Sequence, residues 1–289
     1  MIVRVDSRRA VALETTVVAH GLPDPIGIET AVDMESIVRS EGAEPATIGV
    51  LKGEVIVGMT REELRRLLDE GSVKVGAREL PFVLAKKLNA DTTVSATMRI
   101  SKLAEIRVFV TGGIGGVHQG EYDVSQDLVE LSKDRMIVVS AGAKSILDLR
   151  TTVEALETLE VIVVGYKTDE FPAFYSASSG IKLNMRVDSV EEIVQIYRWM
   201  EKIDFDGALL VANPIPKESE IPYDEVQKWI EDAEMEANRL GIGGKEVTPF
   251  LLSKISELSG GRTLKANIEL LKNNASLGAK IALALEENL

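Results

Sequence analysis

Cysteine is absent from the 289 residues, which excludes a disulfide framework, a cysteine-ligated zinc, an iron–sulfur cluster and a thiol nucleophile. Histidine is nearly absent. With only His20 and His118, a multi-histidine metal site within one subunit is impossible and a Ser-His-Asp triad has few candidates. Positive charge is in deficit: 33 Lys plus Arg stand against 46 Asp plus Glu, a formal net charge of -13. With no block of Lys and Arg to offset it, that excess repels a phosphate backbone, so no nucleic-acid partner is expected. Long hydrophobic runs are missing too. None approaches the roughly 20 residues that cross a bilayer, and the opening MIVRVDSRRAVALE is charged too early for a signal segment. The expectation is a soluble cytoplasmic protein without a membrane partner.

What is present is an ordinary core-forming mixture, 45% hydrophobic and 27% charged, which argues for a folded globule and against disorder. No low-complexity stretch, fixed-period repeat or Pro/Ser-rich linker divides the chain, so residues 1–289 read as a single domain. TIGVLKGEVIV (Thr47 to Val57) is two β-branched runs joined by Lys52-Gly53, the pattern of a tight hairpin. Thr60-Arg61-Glu62-Glu63 fits a capping box, and Leu64, Leu67 and Leu68 supply the apolar stripe of the helix behind it. From residue 106, IRVFVTGG, MIVVSAGAK, VIVVGYK and ALLVANPIP are apolar runs suited to strands buried on both faces. Helices fit between them at Asp127 to Leu131, Ser145 to Leu156 and Val190 to Lys202, which gives a largely parallel sheet in an α/β layered domain. After Pro222 the pattern is helical: one helix stops near Gly241, Gly243 and Gly244, and two more are split by Gly260-Gly261.

Ligands of open α/β sheets collect beyond the carboxyl ends of the strands, here Thr111-Gly112-Gly113, Ala141 to Lys144, Gly165 to Lys167 and Ala212 to Pro214. The Gly-rich run Val110 to His118 follows a strand and serves either as an anion cradle or as a tight turn; it lacks the ending of a Walker loop. Any metal must rely mainly on oxygen ligands, which favours magnesium or manganese. The densest acidic candidate is Glu121 to Asp127. If it is helical, Asp123 and Asp127 share a face; the alternative is that Asp123 or Ser125 caps a helix and Asp127 sits in its first turn. Lys144 follows a buried strand, where desolvation or a neighbouring cation makes an amine nucleophilic, or where it binds phosphate or flanks a helix. Glu14 lies in an apolar, β-branched context that raises a carboxyl pKa and suits proton donation, unless a salt bridge holds it.

These segments together resemble the pseudouridine-5'-phosphate glycosidase family, which includes the indigoidine synthase A-like proteins. The resemblance rests on ALETTVVAHGLP (Ala12 to Pro23), ESIVRSEGAEPATIGV (Glu35 to Val50), VTGGIGGVHQG (Val110 to Gly120), YDVSQDLVEL (Tyr122 to Leu131) and AGAKSILDL (Ala141 to Leu149). It continues through GYKTDEFPAFYSASSG (Gly165 to Gly180), ANPIP (Ala212 to Pro216), GKEVTPFLL (Gly244 to Leu252) and ANIELLKNNA (Ala266 to Ala275). It implies an α/β/α fold, a homotrimer, a manganese ion, and reversible cleavage of pseudouridine 5'-phosphate with water to uracil and ribose 5-phosphate. The family chemistry bonds a lysine to C1' of a ring-opened ribose and protonates uracil C5, so the C–C bond breaks to leave an imine that water releases. By resemblance the nucleophile is Lys144, the proton donor Glu14, a substrate-binding lysine Lys74 and the metal-bearing residue Asp123. Ser125, Gln126 and Asp127 form a substrate-contacting turn, in which Gln126 stands where a small residue is common, and the loop from His118 to Asp123 is shorter than in many members. Val94, Thr111, His118 and Asn267 are expected around the pocket, with His118 at phosphate and Asn267 at the uracil edge. Lys74 near Lys144 is expected to depress the latter's pKa by like-charge repulsion. Two rival readings are a sugar or nucleoside kinase using the Gly-rich run for ATP, and a non-catalytic phosphometabolite-binding protein.

Overall fold

The computed structural model describes residues 1–119, 123–242 and 247–287. Its centre is a sheet of eleven strands among those residues. In chain order they are β1 (Ile2–Val3), β2 (Ala10–Glu14), β3 (Glu44–Leu51), β4 (Glu54–Val57), β5 (Val73–Val75), β6 (Ala90–Thr92), β7 (Val108–Val110), β8 (Ile137–Ser140), β9 (Ile162–Tyr166), β10 (Arg186–Val187) and β11 (Leu209–Ala212). The main path runs β1-β4-β3-β2-β7-β8-β11-β9-β10, with β6 and β5 attached beside β3. Every pair on the path is parallel except the β3–β4 hairpin, and β6 runs antiparallel to β3. The hairpin turn is Lys52-Gly53, with φ of 51° and 75°; two successive positive values match the right-handed twist of the strands.

The four apolar runs recognised in the sequence are β7, β8, β9 and β11. β2, β7, β8 and β11 are buried along their whole lengths, as strands covered on both faces must be. Helices supply the cover. They are α1 (Ile26–Glu41), α2 (Arg61–Asp69), α3 (Leu80–Ala85), α4 (Val94–Leu103), α5 (Gln126–Leu131), α6 (Leu149–Thr158), α7 (Val190–Lys202), α8 (Tyr223–Leu240), α9 (Val247–Leu258) and α10 (Arg262–Glu287). α10 packs on β2, β7 and β8 and touches α1 and α7, while α4 packs on β2, β3 and β7 and against α5, completing an α/β/α layering. No helix among the described residues is long and apolar enough to cross a membrane.

Local signals act as expected at several helix ends. Thr60 and Glu63 form the reciprocal capping box of α2, and α8 stops at Gly241 in the left-handed conformation. Gly243 and Gly244, also expected at that stop, lie outside the described residues. α6 starts later than expected, because Asp148 accepts from the Thr151 backbone and caps it; Ser145 to Leu147 form the turn that leads Lys144 into the helix.

That turn depends on Gly142, two residues before Lys144. Its φ is +84°, and a Cβ there would lie 2.1 Å from the carbonyl oxygen of Pro172. Gly142→Ala therefore meets both backbone strain and a clash with immobile main chain, a loss of roughly 2 kcal/mol or more. Urea denaturation should show the lower midpoint at unchanged m-value.

Candidate active site

Parallel pairing brings the carboxyl ends of β2, β7 and β8 to one edge, with Leu13 opposite Val110 and Val110 opposite Val139. Glu14 is thereby set beside Thr111, and Lys144 lies four residues beyond the end of β8. Glu14, Lys74, Thr111, Lys144, His20 and Asn267 line a single cavity, with Phe174 and Leu252 as apolar wall. Its volume is about 50 Å³, and an adjoining cleft of about 310 Å³ shares His20, Gly21, Leu252 and Asn267 with it. A nucleotide-sized ligand needs a few hundred Å³, so it must use both spaces.

Glu14 is buried, with only 8% of its surface exposed. Burial raises its pKa to about 7; the positive charge of Lys144 and the hydrogen bond donated by the Thr111 hydroxyl pull the other way and do not cancel it. The carboxyl is thus shared between acid and base forms near neutral pH, the property wanted in a proton donor. Lys74 is exposed as a whole residue, yet its ammonium faces the same cavity. Desolvation of that end, followed by repulsion from Lys144, lowers its pKa. The two lysines are thus close enough to repel one another.

Thr111 is itself fixed from behind. The fully buried Asn274 on α10 donates to the Thr111 carbonyl at 2.9 Å, and Asn213, just after β11, donates to the Asn274 side chain at 2.9 Å. Sequence reading missed this pair, as well as His20, Phe174 and Leu252 in the lining. Asn213-Pro214 at a strand end and the doubled Asn273-Asn274 in a helix were the signals available.

The acidic segment resolves in favour of capping. α5 begins at Gln126, with the Ser125 hydroxyl accepting from the Asp127 backbone at 3.2 Å, so Asp123 lies before the helix and shares no helical face with Asp127. Glu121 and Tyr122 lie outside the described residues. Asp127 is buried and accepts from the Ser95 and Gly115 backbones at 3.0 and 2.8 Å. Gln126 accepts from the Arg78 backbone at 3.0 Å and donates to the Glu79 carboxylate at 3.0 Å. The turn thus clamps the loop that follows Lys74 to the start of α4, where Val94 is buried as the first helical residue. Val94, His118, Ser125, Gln126 and Asp127 do not line the cavity itself.

The later part of the Gly-rich run is a turn: the N–H groups of Ile114, Gly115, Val117 and His118 are donated to Gly142, Asp127, Thr152 and Asp123 respectively. Gly112 and Gly113 line the cavity, and their N–H groups have no acceptor among the described residues, so an anion contact is left open there. His118 Nε2 stands 4.0 Å from Asp123 Oδ2, and the Asp123 side chain is 67% exposed. No group of three His, Asp or Glu side chains converges for a metal among the described residues. One exposed carboxylate with room for water fits a hard cation that keeps most of its hydration, and does not fit zinc.

An α/β/α domain whose sheet end gathers a buried acid and two lysines in one cavity is of the class that binds its ligands beyond the strand carboxyl ends. Comparison with known proteins is more specific. The family model for indigoidine synthase A like protein matches residues 4–284, and the chain belongs to that family. A relative from Kosmotoga olearia named pseudouridine-5'-phosphate glycosidase is 56% identical over 95% of this chain and 96% of its own. Another of the same name, from Fervidobacterium nodosum, is 53% identical over 97% and 95%. Among solved structures, an indigoidine synthase A-like protein of Thermotoga maritima superposes with a TM-score of 0.94 at 48% identity, covering 99% of this chain and 96% of that one. The prealnumycin C-glycosynthase in complex with ribulose 5-phosphate superposes at 0.91 with 33% identity, covering 100% and 98%.

The state of Glu14 has a stability consequence. Its folded pKa, about 7, lies above the unfolded value near 4.5, so its protonated form favours the native state. That contribution is complete below pH 4.5 and is lost as pH rises through 7. At pH 8 a buried carboxylate remains, and Glu14→Gln should remove its cost. The variant is expected to be more stable than the wild type at pH 8 by on the order of 2 kcal/mol, with the gap closing toward pH 5. Denaturant midpoints at the two pH values measure it.

Proposed function

We propose that the chain is a pseudouridine-5'-phosphate glycosidase, cleaving the C–C bond between uracil and ribose 5-phosphate reversibly and with water. The observation that carries the reading is Glu14, a buried acid with a pKa of about 7, in one cavity with Lys144 and Lys74. The names of relatives 56% and 53% identical over nearly the whole chain support the substrate. The ribulose 5-phosphate bound to a 33% identical neighbour supports a phosphosugar.

C1' is bonded to uracil C5, so the base cannot simply leave as an anion, and a two-carboxylate glycosidase scheme does not apply. In the proposed route the Lys144 amine bonds to C1' of the opened sugar. Glu14 protonates uracil C5, the lysine nitrogen donates its lone pair to C1', and the electrons of the C1'–C5 bond restore the uracil ring. Water then hydrolyses the imine and releases ribose 5-phosphate. Lys74 binds the phosphate and Asn267 the edge of the base. Ser125, Gln126 and Asp127 hold the loop behind Lys74, with Val94, Thr111 and His118 completing the surroundings. Asp123 would hold a manganese ion largely through water, whose charge offsets that of the phosphate. A homotrimer in the cytoplasm belongs to the same reading; exposed apolar side chains such as Phe82, Leu103 and Trp199 are of the kind assembly covers.

The kinase alternative is weakened by the missing Walker ending and by the N–H groups of Ile114, Gly115, Val117 and His118, which are already bonded within the protein. Borohydride added to enzyme mixed with ribose 5-phosphate should fix a reduced sugar adduct on Lys144, which neither a kinase nor a binding protein would give. Lys144→Ala should abolish turnover with normal circular dichroism, and Lys144→Arg should be nearly as inactive because a guanidinium stays protonated. More than a few per cent of activity in either would remove the nucleophile assignment.

Glu14→Gln should bind substrate yet release uracil roughly 100-fold more slowly, and intact mass spectrometry should show an adduct retaining both sugar and base. Near-normal release would move proton donation elsewhere. For the cation, Asp123→Ala should weaken manganese binding in direct titration and lower activity in parallel. Unchanged activity in metal-stripped wild-type enzyme would make the ion incidental.

A further inference from the structure

The route above leaves one titratable side chain in the cavity lining unused, the imidazole of His20. His20 lies in a π-turn (Val17–Gly21), a wide helical turn that follows β2 within three residues of Glu14. Its Nε2 is 3.0 Å from Oδ2 of Asp91, a carboxylate with no exposed surface in β6. Ser72 donates to Asp91 Oδ1 at 2.7 Å. The Thr16 hydroxyl stands 3.4 Å from Oδ2, but it has one proton, and the Thr92 carbonyl at 2.7 Å is the better acceptor. His20 is therefore the effective donor to Oδ2. A buried carboxylate needs such a partner, and hydrogen bonding from His20 and Ser72 keeps the Asp91 pKa low. The bond fixes the ring through Nε2. Nδ1 has no partner among the described residues, and the side chain is 37% exposed.

Resting on the proposed reaction, the chemistry requires proton transfers at two separate places. Uracil C5 receives one proton, and the ribose ring oxygen O4' must receive another when the ring opens. Glu14 serves the first. Lys144 is the bonding amine, and Lys74 an ammonium for the phosphate. We propose that His20, oriented by Asp91, is the second acid–base residue and delivers the proton to O4'. The Lys144 lone pair forms the bond to C1' while C1'–O4' breaks; the departing pair remains on O4', which takes the proton from the His20 imidazolium. The nitrogen, now a secondary ammonium, returns its surplus proton to His20, so the imidazole ends as it began. Asp91 is a positioning residue that supports the cationic ring, as a buried carboxylate does for an acid–base histidine.

An aldose phosphate that cannot close a ring separates this role from binding or folding. Erythrose 4-phosphate carries its phosphate on the oxygen that would close a furanose, so its aldehyde reaches Lys144 without ring opening. In His20→Gln, uracil release from pseudouridine 5'-phosphate should fall about 100-fold in kcat with KM within about threefold of wild type. The borohydride-trapped erythrose 4-phosphate adduct should form at a rate within about threefold of wild type. Imidazole in solution should restore part of the turnover of His20→Ala, and Asp91→Asn should lower kcat in the same selective way. Uracil release within about threefold of wild type in His20→Gln would overturn the proposal. A parallel fall of turnover and trapping would do the same, because it marks a structural role. No adduct with wild-type enzyme would instead refute the lysine imine, and this inference with it.

Discussion

A carboxyl group kept out of water beside a positive charge sets the terms for this site. Desolvation pushes the Glu14 proton on, and Lys144 and Thr111 pull it off; the balance near 7 exists only while both are in place. Water at Glu14 would return it toward an ordinary carboxylate, and loss of the lysine would raise its pKa further. The sheet answers this requirement. β2 lies between β3 and β7, is buried along its length, and ends at Glu14, so the acid inherits the dryness of a central strand. α10 closes the same end, and its Asn274 holds the carbonyl of Thr111, whose hydroxyl meets the acid.

Two lysines in one small cavity create a second demand, for negative charge close by that does not itself react. Asp127 and Asp91 meet it, and both act on Lys74 through space. Their inertness follows from their hydrogen bonds. Asp127 spends its oxygens on the backbones of Ser95 and Gly115, and Asp91 is held by Ser72 and His20. For Asp91 these bonds outweigh its burial and keep its pKa low. Glu14, the proposed proton donor, differs in having a single hydrogen-bond partner among the described residues, Thr111.

Much of this was legible from local pattern, because local physics decides it. Lys52-Gly53, the Thr60 capping box and the four Val- and Ile-rich runs each depend on neighbours within a few residues, and each became the expected element. Glu14 and Lys144 stood out because charge at the end of an apolar strand is costly wherever the strand packs. The Gly-rich run was ambiguous for the same reason: glycine serves a turn and an anion site equally, and partners 12 to 35 residues away, Asp127 and Thr152, decide for the turn only at Gly115 and Val117. His20 and Asp91 are 71 positions apart, and Asn213 and Asn274 are 61. No periodicity couples such pairs. Their contact follows from strand order, which a single sequence does not display.

Gln126 shows how a departure from family pattern is absorbed. Its amide accepts from the Arg78 backbone and donates to Glu79, and Glu79 in turn accepts from the Gly76 backbone at 3.0 Å. A Cβ at Gly76 would lie 2.8 Å from the Gln126 amide oxygen, so the long side chain occupies space that only glycine leaves open. Gly76 is two residues beyond Lys74. A small residue at 126 would leave the Arg78 N–H without this acceptor and the Glu79 carboxylate without this donor. The amide thus acts on the loop that carries the cavity-lining Lys74, and reaches the site through position alone. Gly76 and Gln126 form one unit, and the identity of either is intelligible only beside the other.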